Sequence, residues 1–67
     1  MSTQTFAVTG MTCGHCVASV TEEVSEVAGV QSVDVVLETG QVTVTSAEPV
    51  DAAAVQAAVE EAGYQLA

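Results

Sequence analysis

Lysine and arginine are absent from this 67-residue chain, which carries nine acidic residues and a net charge of −9 at neutral pH. With no cationic side chain to meet a phosphate, nucleic acid is excluded as a partner. Attraction to an anionic membrane surface is excluded for the same reason. A protein partner presenting a basic patch is favoured, with an association rate that falls as salt rises. The alternative is that the acids serve solubility alone. Tryptophan is also absent, and aromatic and large aliphatic residues are few: one Phe, one Tyr and two Leu. The core is therefore left mainly to valine and alanine. A chain this short buries only about 60% of its unfolded surface, so its net stability is on the order of 3–5 kcal/mol. A deep, water-excluding pocket does not suit such a scaffold, whereas a site on a surface loop does. No apolar run approaches the roughly 20 residues of a membrane-spanning helix. The opening Met1-Ser2-Thr3-Gln4-Thr5 has neither the basic nor the apolar region of a secretory signal. The chain therefore reads as one domain over residues 1–67, located in the cytoplasm, where two cysteines stay reduced.

What is present is concentrated. Gly10-Met11-Thr12-Cys13-Gly14-His15-Cys16 holds both cysteines, the only histidine and one of two methionines. Before it, Gln4–Thr9 alternates, with Phe6 and Val8 on one side and Thr5, Ala7 and Thr9 on the other; that is a half-buried strand. After it, Val17, Val20, Val24 and Val27 recur at spacings of 3, 4 and 3, one stripe of an amphipathic helix over Cys13–Val27. Thr12 or Cys13 is its N-cap, and Ala28-Gly29 stops it. Glu22, Glu23 and Glu26 lie off the stripe, toward the helix's negative end.

A second strand spans Val30–Leu37, with Val33, Val35 and Leu37 inward and Asp34 outward. Glu38-Thr39-Gly40 forms a hairpin turn into a return strand, Gln41–Thr45, that points Val42 and Val44 inward. Ser46–Val50 is a loop holding the only proline, Pro49. Asp51 caps a second helix over Ala52–Ala62, whose buried stripe is Val55, Ala58, Val59 and Ala62. Gly63 ends it, and Tyr64–Leu66 is a short last strand. The order β-α-β-β-α-β, with one apolar face per strand, predicts an α+β, ferredoxin-like sandwich: a four-stranded antiparallel sheet with both helices on one face.

Cysteines three apart at a helix start place their sulfurs on one side of the first turn. Cys13 falls at the loop–helix junction and should be the more exposed; Cys16, four residues before Val20, should be the more enclosed. Free N–H groups and the helix dipole favour thiolate over thiol there. Paired thiolates select Cu(I) and other thiophilic ions. A structural zinc site wants four protein ligands, and two sulfurs with at most one imidazole fall short of that. An unsaturated site also leaves room for an incoming cysteine, so metal can pass by stepwise ligand exchange, and two such sites can complete each other in a copper-bridged homodimer. A thiol–disulfide oxidoreductase also uses Cys-x-x-Cys, but the enzymes of that kind carry an aromatic residue before the first cysteine and a facing cis-proline. Thr12 stands in the first position, and Pro49 is not placed for the second. A structural disulfide across three residues would add little stability, and a glycine-flanked loop is the wrong place for inert core thiols. His15 lies roughly 200° around the helix from Cys13 and points away. It is open to three roles: an auxiliary ligand, an influence on thiolate charge or on pairing of two molecules, and plain solvent exposure. Met11 is soft by type, but its place before Cys13 suits packing beneath the loop.

The heptapeptide resembles the metal loop of heavy-metal-associated domains. The likeness continues through the helical valine stripe, Leu37-Glu38-Thr39-Gly40 and Glu60-Glu61-Ala62-Gly63-Tyr64, and so covers essentially the whole chain. The full motif with this element order is specific; Cys-x-x-Cys alone is not. The family includes bacterial copper chaperones. The resemblance implies a non-enzymatic protein that takes Cu(I) on Cys13 and Cys16 and delivers it to the soluble domains of a copper-transporting P-type ATPase. It implies Met11 as a structural support, and Tyr64 on a loop beside the site, where eukaryotic relatives carry a lysine. Thr12 departs from the zinc-exporting branch, which places an acid there, and the missing leader departs from the periplasmic mercury-binding branch. A Cu(I) buffer, a detached metal-sensing domain of an ATPase, and a domain for another soft ion (Ag, Hg, Zn, Cd) are the alternatives. With no Lys or Arg, the bis-thiolate centre must be stabilised by backbone N–H groups and the helix terminus. The basic docking face must then belong to the partner.

Overall fold

The computed structural model describes every residue, Met1–Ala67. The elements run β1 (Ser2–Thr9), α1 (Gly14–Ser25), β2 (Val30–Val36), β3 (Gln41–Ser46), α2 (Ala52–Glu61) and β4 (Gln65–Leu66). This is the predicted βαββαβ order. The strands form one sheet in the order β2-β3-β1-β4, and every neighbouring pair is antiparallel.

Alternation along the strands and the four-residue repeat on the helices converge on one core. Val42 and Val44 of β3, Val20 and Val24 of α1, and Val55 and Val59 of α2 are all fully inaccessible, with Val8 and Val50 closing the ends. Valine has one stiff torsion, so fixing it costs little side-chain entropy. Each buried valine contributes at the lower end of about 1.5–3 kcal/mol. The opposite face of the sheet is wet and rich in threonine, with Thr3 paired to Thr45 and Thr5 to Thr43 across β1 and β3.

Element ends differ from the sequence expectation for local reasons. β1 begins two residues early because Ser2 and Thr3 pair with Ser46 and Thr45. α1 stops at Ser25, since the N–H of Glu26 bonds the Glu23 carbonyl and that of Val27 the Val24 carbonyl, three residues back instead of four, and the turns tighten. Leu37 is not inward. β2 ends at Val36, where Gly40 N–H bonds the Val36 carbonyl at 2.9 Å and turns the chain, leaving Leu37 37% exposed. Asp51 caps α2 as expected, accepting a 2.9 Å bond from Ala53 N–H.

Two features pin the ends of β1. At the start, the Gln4 amide grips the main chain of Val50 both ways. Its Oε1 accepts from Val50 N–H at 2.8 Å, and its Nε2 donates to the Val50 carbonyl at 3.3 Å. At the other end, Val8 N–H donates to the Gly40 carbonyl at 2.8 Å. Gly40 has a φ of +73°, and a Cβ there would lie 2.5 Å from the Val8 carbonyl oxygen. β1 thus runs from Met1 at one end of the molecule to the cysteine loop at the other.

Candidate metal centre

The centre begins where β1 stops. Gly10 takes a φ of +94°, a conformation that suits glycine, and swings the chain off the sheet. Met11 follows, half-buried and packed against the valine core. Cys13 is the N-cap of α1 in an extended conformation, and its side chain makes no capping bond. Cys16 sits one turn on, facing the core side.

Cys13 is exposed and Cys16 is 9% exposed, the ranking that the spacing predicted. Both thiols are free, and the sulfurs lie 3.5 Å apart. Thr12 Oγ1 is 3.8 Å from the Cys16 sulfur. No third His, Cys, Asp or Glu joins the pair in a metal-holding group; His15 is exposed on the first turn of α1. Cys13 is the exposed member of the pair, so an ion held between the two sulfurs would remain open on its solvent side.

The Cys16 thiol is acidified from 9.0 to about 6. The largest cause is the backbone N–H of Thr12, followed by the Tyr64 hydroxyl, the Cys13 thiol and the Cys13 backbone; burial opposes them. The side-chain atoms that hydrogen-bond the Cys16 sulfur are Thr12 Oγ1 and Cys13 Sγ. The Tyr64 phenol is pushed up by the same interaction seen from its own side, by burial, and by the charges of Cys16 and Cys13. Near neutral pH the pair therefore holds an anionic sulfur ready for a soft cation.

Tyr64 reaches this position through the end of α2. With Ala62 as the C-cap, Gly63 N–H bonds the Glu60 carbonyl at 2.9 Å and Tyr64 N–H bonds the Val59 carbonyl at 3.0 Å. This is a Schellman closure around a left-handed Gly63, whose φ is +96°. The ring then lies over Gly10, where an added Cβ would sit 3.2 Å from Tyr64 Cδ1. Tyr64 therefore precedes β4 and does not begin it. The Ala62-Gly63 stop followed by an aromatic residue is the sequence signal for that closure. Gly14, a second apparent source of loop freedom, is simply the first residue of α1, without a positive φ.

Toward the far end of α1, Glu23 is pushed up by burial first, then by Glu26 just past the helix, by Glu61 on α2 and by Glu22.

A family model described as the heavy-metal-associated domain matches residues 5–65. The chain is 41% identical over 68 residues to the copper chaperone CopZ of Bacillus subtilis (strain 168), covering 100% of this chain and 99% of that protein. It is 43% identical over 63 residues to copper-transporting ATPase 1 of Rhizobium meliloti (strain 1021), covering 94% of this chain and 8% of that protein. Among solved structures, a CopZ metallochaperone superposes with a TM-score of 0.91 at 37% identity, covering 98% of this chain and 100% of that one.

Proposed function

The chain belongs to the heavy-metal-associated domain family, and from that premise we propose that it is a cytoplasmic Cu(I) chaperone, not an enzyme. Cys13 and Cys16 hold the ion and pass it to the soluble domains of a copper-transporting P-type ATPase. The observation that carries the reading is the pair of free sulfurs 3.5 Å apart, one of them acidified, with no third His, Cys, Asp or Glu grouped with them. Zn(II) is left two ligands short by that set; Cu(I) is satisfied by soft, low-coordinate sulfur.

Transfer follows from the open side. Cys13, at the exposed end of the pair, is the sulfur a partner meets first. A partner thiolate adds to the ion as Cys13 lets go, and a second replaces Cys16. Each new copper–sulfur bond forms as one breaks, and copper remains Cu(I) throughout. The likeness to a segment of a copper-transporting ATPase supports this exchange, because donor and recipient domains of one fold present matching loops to each other. The surface charge of −9 supports a recipient with a basic face, met faster at low ionic strength. Two copies bridged by copper are the corresponding self-complex, with His15 at its edge. Met11 supports the loop from the core, and Tyr64 stabilises the anionic sulfur. Anaerobic competition against a Cu(I) chelator tests the reading. Tight binding is expected in the native chain, and comparable affinity in a Cys13→Ser, Cys16→Ser double variant would defeat it. Sedimentation at one and two equivalents of copper tests the bridged dimer, which requires a copper-dependent rise in mass.

A further inference from the structure

β4 is held to the sheet by very little. Its ladder to β1 has two residue pairs, Val8 with Leu66 and Thr9 with Gln65. Ala67 N–H extends it with a 2.8 Å bond to the Ala7 carbonyl, and Thr9 Oγ1 donates to the Gln65 carbonyl at 3.3 Å on the exposed side. A ladder this short at a sheet edge opens locally at low free energy. The residues next to it on the cysteine side are Gly10 and Tyr64, and these are in contact, with Tyr64 Cδ1 3.2 Å from where a Cβ would stand on Gly10. Gly10 leads within three residues to Cys13, and Tyr64 leads directly into β4. The other loop at this end, the Leu37–Gly40 turn, is fixed to β1 by the Val8–Gly40 bond and has no such freedom.

The geometry points to a coupling between the metal loop and β4, with Tyr64 as the positioning residue that carries it. This inference rests on the Cu(I)-binding reading above. An ion held by Cys13 and Cys16 orders residues 10–13. An ordered Gly10 gives the Tyr64 ring a fixed seat, and a seated Tyr64 keeps β4 closed on β1. The coupling is reciprocal: the factor by which copper favours the closed β4 is the factor by which a closed β4 favours copper. Loading is thereby transmitted across the sheet edge to a segment that touches neither sulfur.

Amide hydrogen exchange on the full chain, apo and Cu(I)-loaded, tests the coupling, with loading verified by chelator competition. Val42 and Val44, in the middle of β3, report the general stabilisation that any ligand of the folded state confers. The amides of Gln65 and Ala67, the two that face β1 in this ladder, are expected to gain about fivefold more protection than these. Tyr64→Phe keeps that excess, because ring packing carries the contact; Tyr64→Ala loses it. Thr9→Val loosens β4 from outside the loop and is expected to weaken Cu(I) affinity about two- to fivefold, the worth of one such bond. A uniform gain across the sheet, an excess that survives Tyr64→Ala, or an unchanged affinity in Thr9→Val with its β4 amides deprotected overturns the coupling. A native chain that binds no Cu(I) in the competition overturns the metal reading and the coupling together; normal binding with uniform protection overturns the coupling alone.

Discussion

Replacing Gly40 with alanine separates two penalties that usually arrive together. Gly40 has a φ of +73°, and its added Cβ would stand 2.5 Å from the Val8 carbonyl oxygen. The left-handed conformation costs an alanine about 1–2 kcal/mol. The contact adds more, because the atom struck is main chain in a central strand and cannot rotate away. Overpacking of this kind costs about 1–3 kcal/mol. If the turn withdraws to relieve it, the 2.8 Å bond from Val8 N–H to the Gly40 carbonyl goes too, worth about 1 kcal/mol net. The total, about 3–6 kcal/mol, matches or exceeds the whole stability available to a domain of this size. Gly63→Ala is the control. Its φ is +96° but nothing lies within 4 Å of its Cβ, so only the conformational penalty applies, about 1–2 kcal/mol. Gly14→Ala, with no positive φ and open surroundings, is expected to be neutral or stabilising by about 0.5–1 kcal/mol. Urea unfolding followed by far-ultraviolet circular dichroism reads all three. Gly40→Ala is expected to be largely unfolded before urea is added. If it unfolds within about 0.5 kcal/mol of Gly63→Ala, the close approach of turn and strand contributes nothing and the reasoning is wrong.

Three further expectations are independent of that one. Tyr64→Phe removes one donor to the Cys16 sulfur, so its titration, read by thiolate ultraviolet absorbance, moves from about 6 back toward 9.0. Because folding depresses this acid, the stability it supplies is complete above pH 9.0 and is lost as pH falls through about 6. The native chain and Tyr64→Phe should therefore converge in stability in acid and diverge in alkali. Glu23 behaves oppositely: folding raises it, so its ionised form opposes the fold near neutral pH and ceases to below its ordinary value of 4.5. Glu23→Gln should raise the melting temperature at pH 7, less so in high salt, and not at all below pH 4.5. An equal gain at every pH would show that charge is not the cause. Asp51→Ala removes the 2.9 Å cap from Ala53 N–H and should cost about 1 kcal/mol in urea midpoint experiments, whereas Asp51→Ser should retain most of it.

The fold was legible because each element announces itself twice, by period and by its stop. Val20 and Val24, and Val55 and Val59, sit one helical turn apart and reappear in the structure as fully buried pairs; Val42 and Val44 do the same at strand period. The placement of the two sulfurs, one exposed and one enclosed, was equally legible, since it depends only on a three-residue offset from the valine stripe. What escaped the sequence depends on contacts between distant segments. Leu37 has the inward parity of β2, yet the Gly40 turn overrides parity by ending the strand one residue sooner. The two hydrogen bonds between Gln4 and Val50 span 46 residues, and no local pattern encodes them. Tyr64 came into view only through resemblance, because its closeness to Cys16 is made by the helix closure at Gly63 and by the absence of a side chain at Gly10.

The direction of β1 has a practical consequence. The strand starts at Ser2 and delivers the chain to the cysteine loop only after Thr9, a span of about 24 Å at strand rise. Met1 is 93% exposed at the remote end, and with no lysine anywhere no side-chain amine competes for attachment. A bead, a sensor surface or a dye coupled at Met1 therefore holds this protein at one point and in one orientation. Every immobilised copy would stand with its thiols facing the solution, so a surface of them would report cargo exchange with an approaching partner without the averaging over blocked orientations that random attachment imposes.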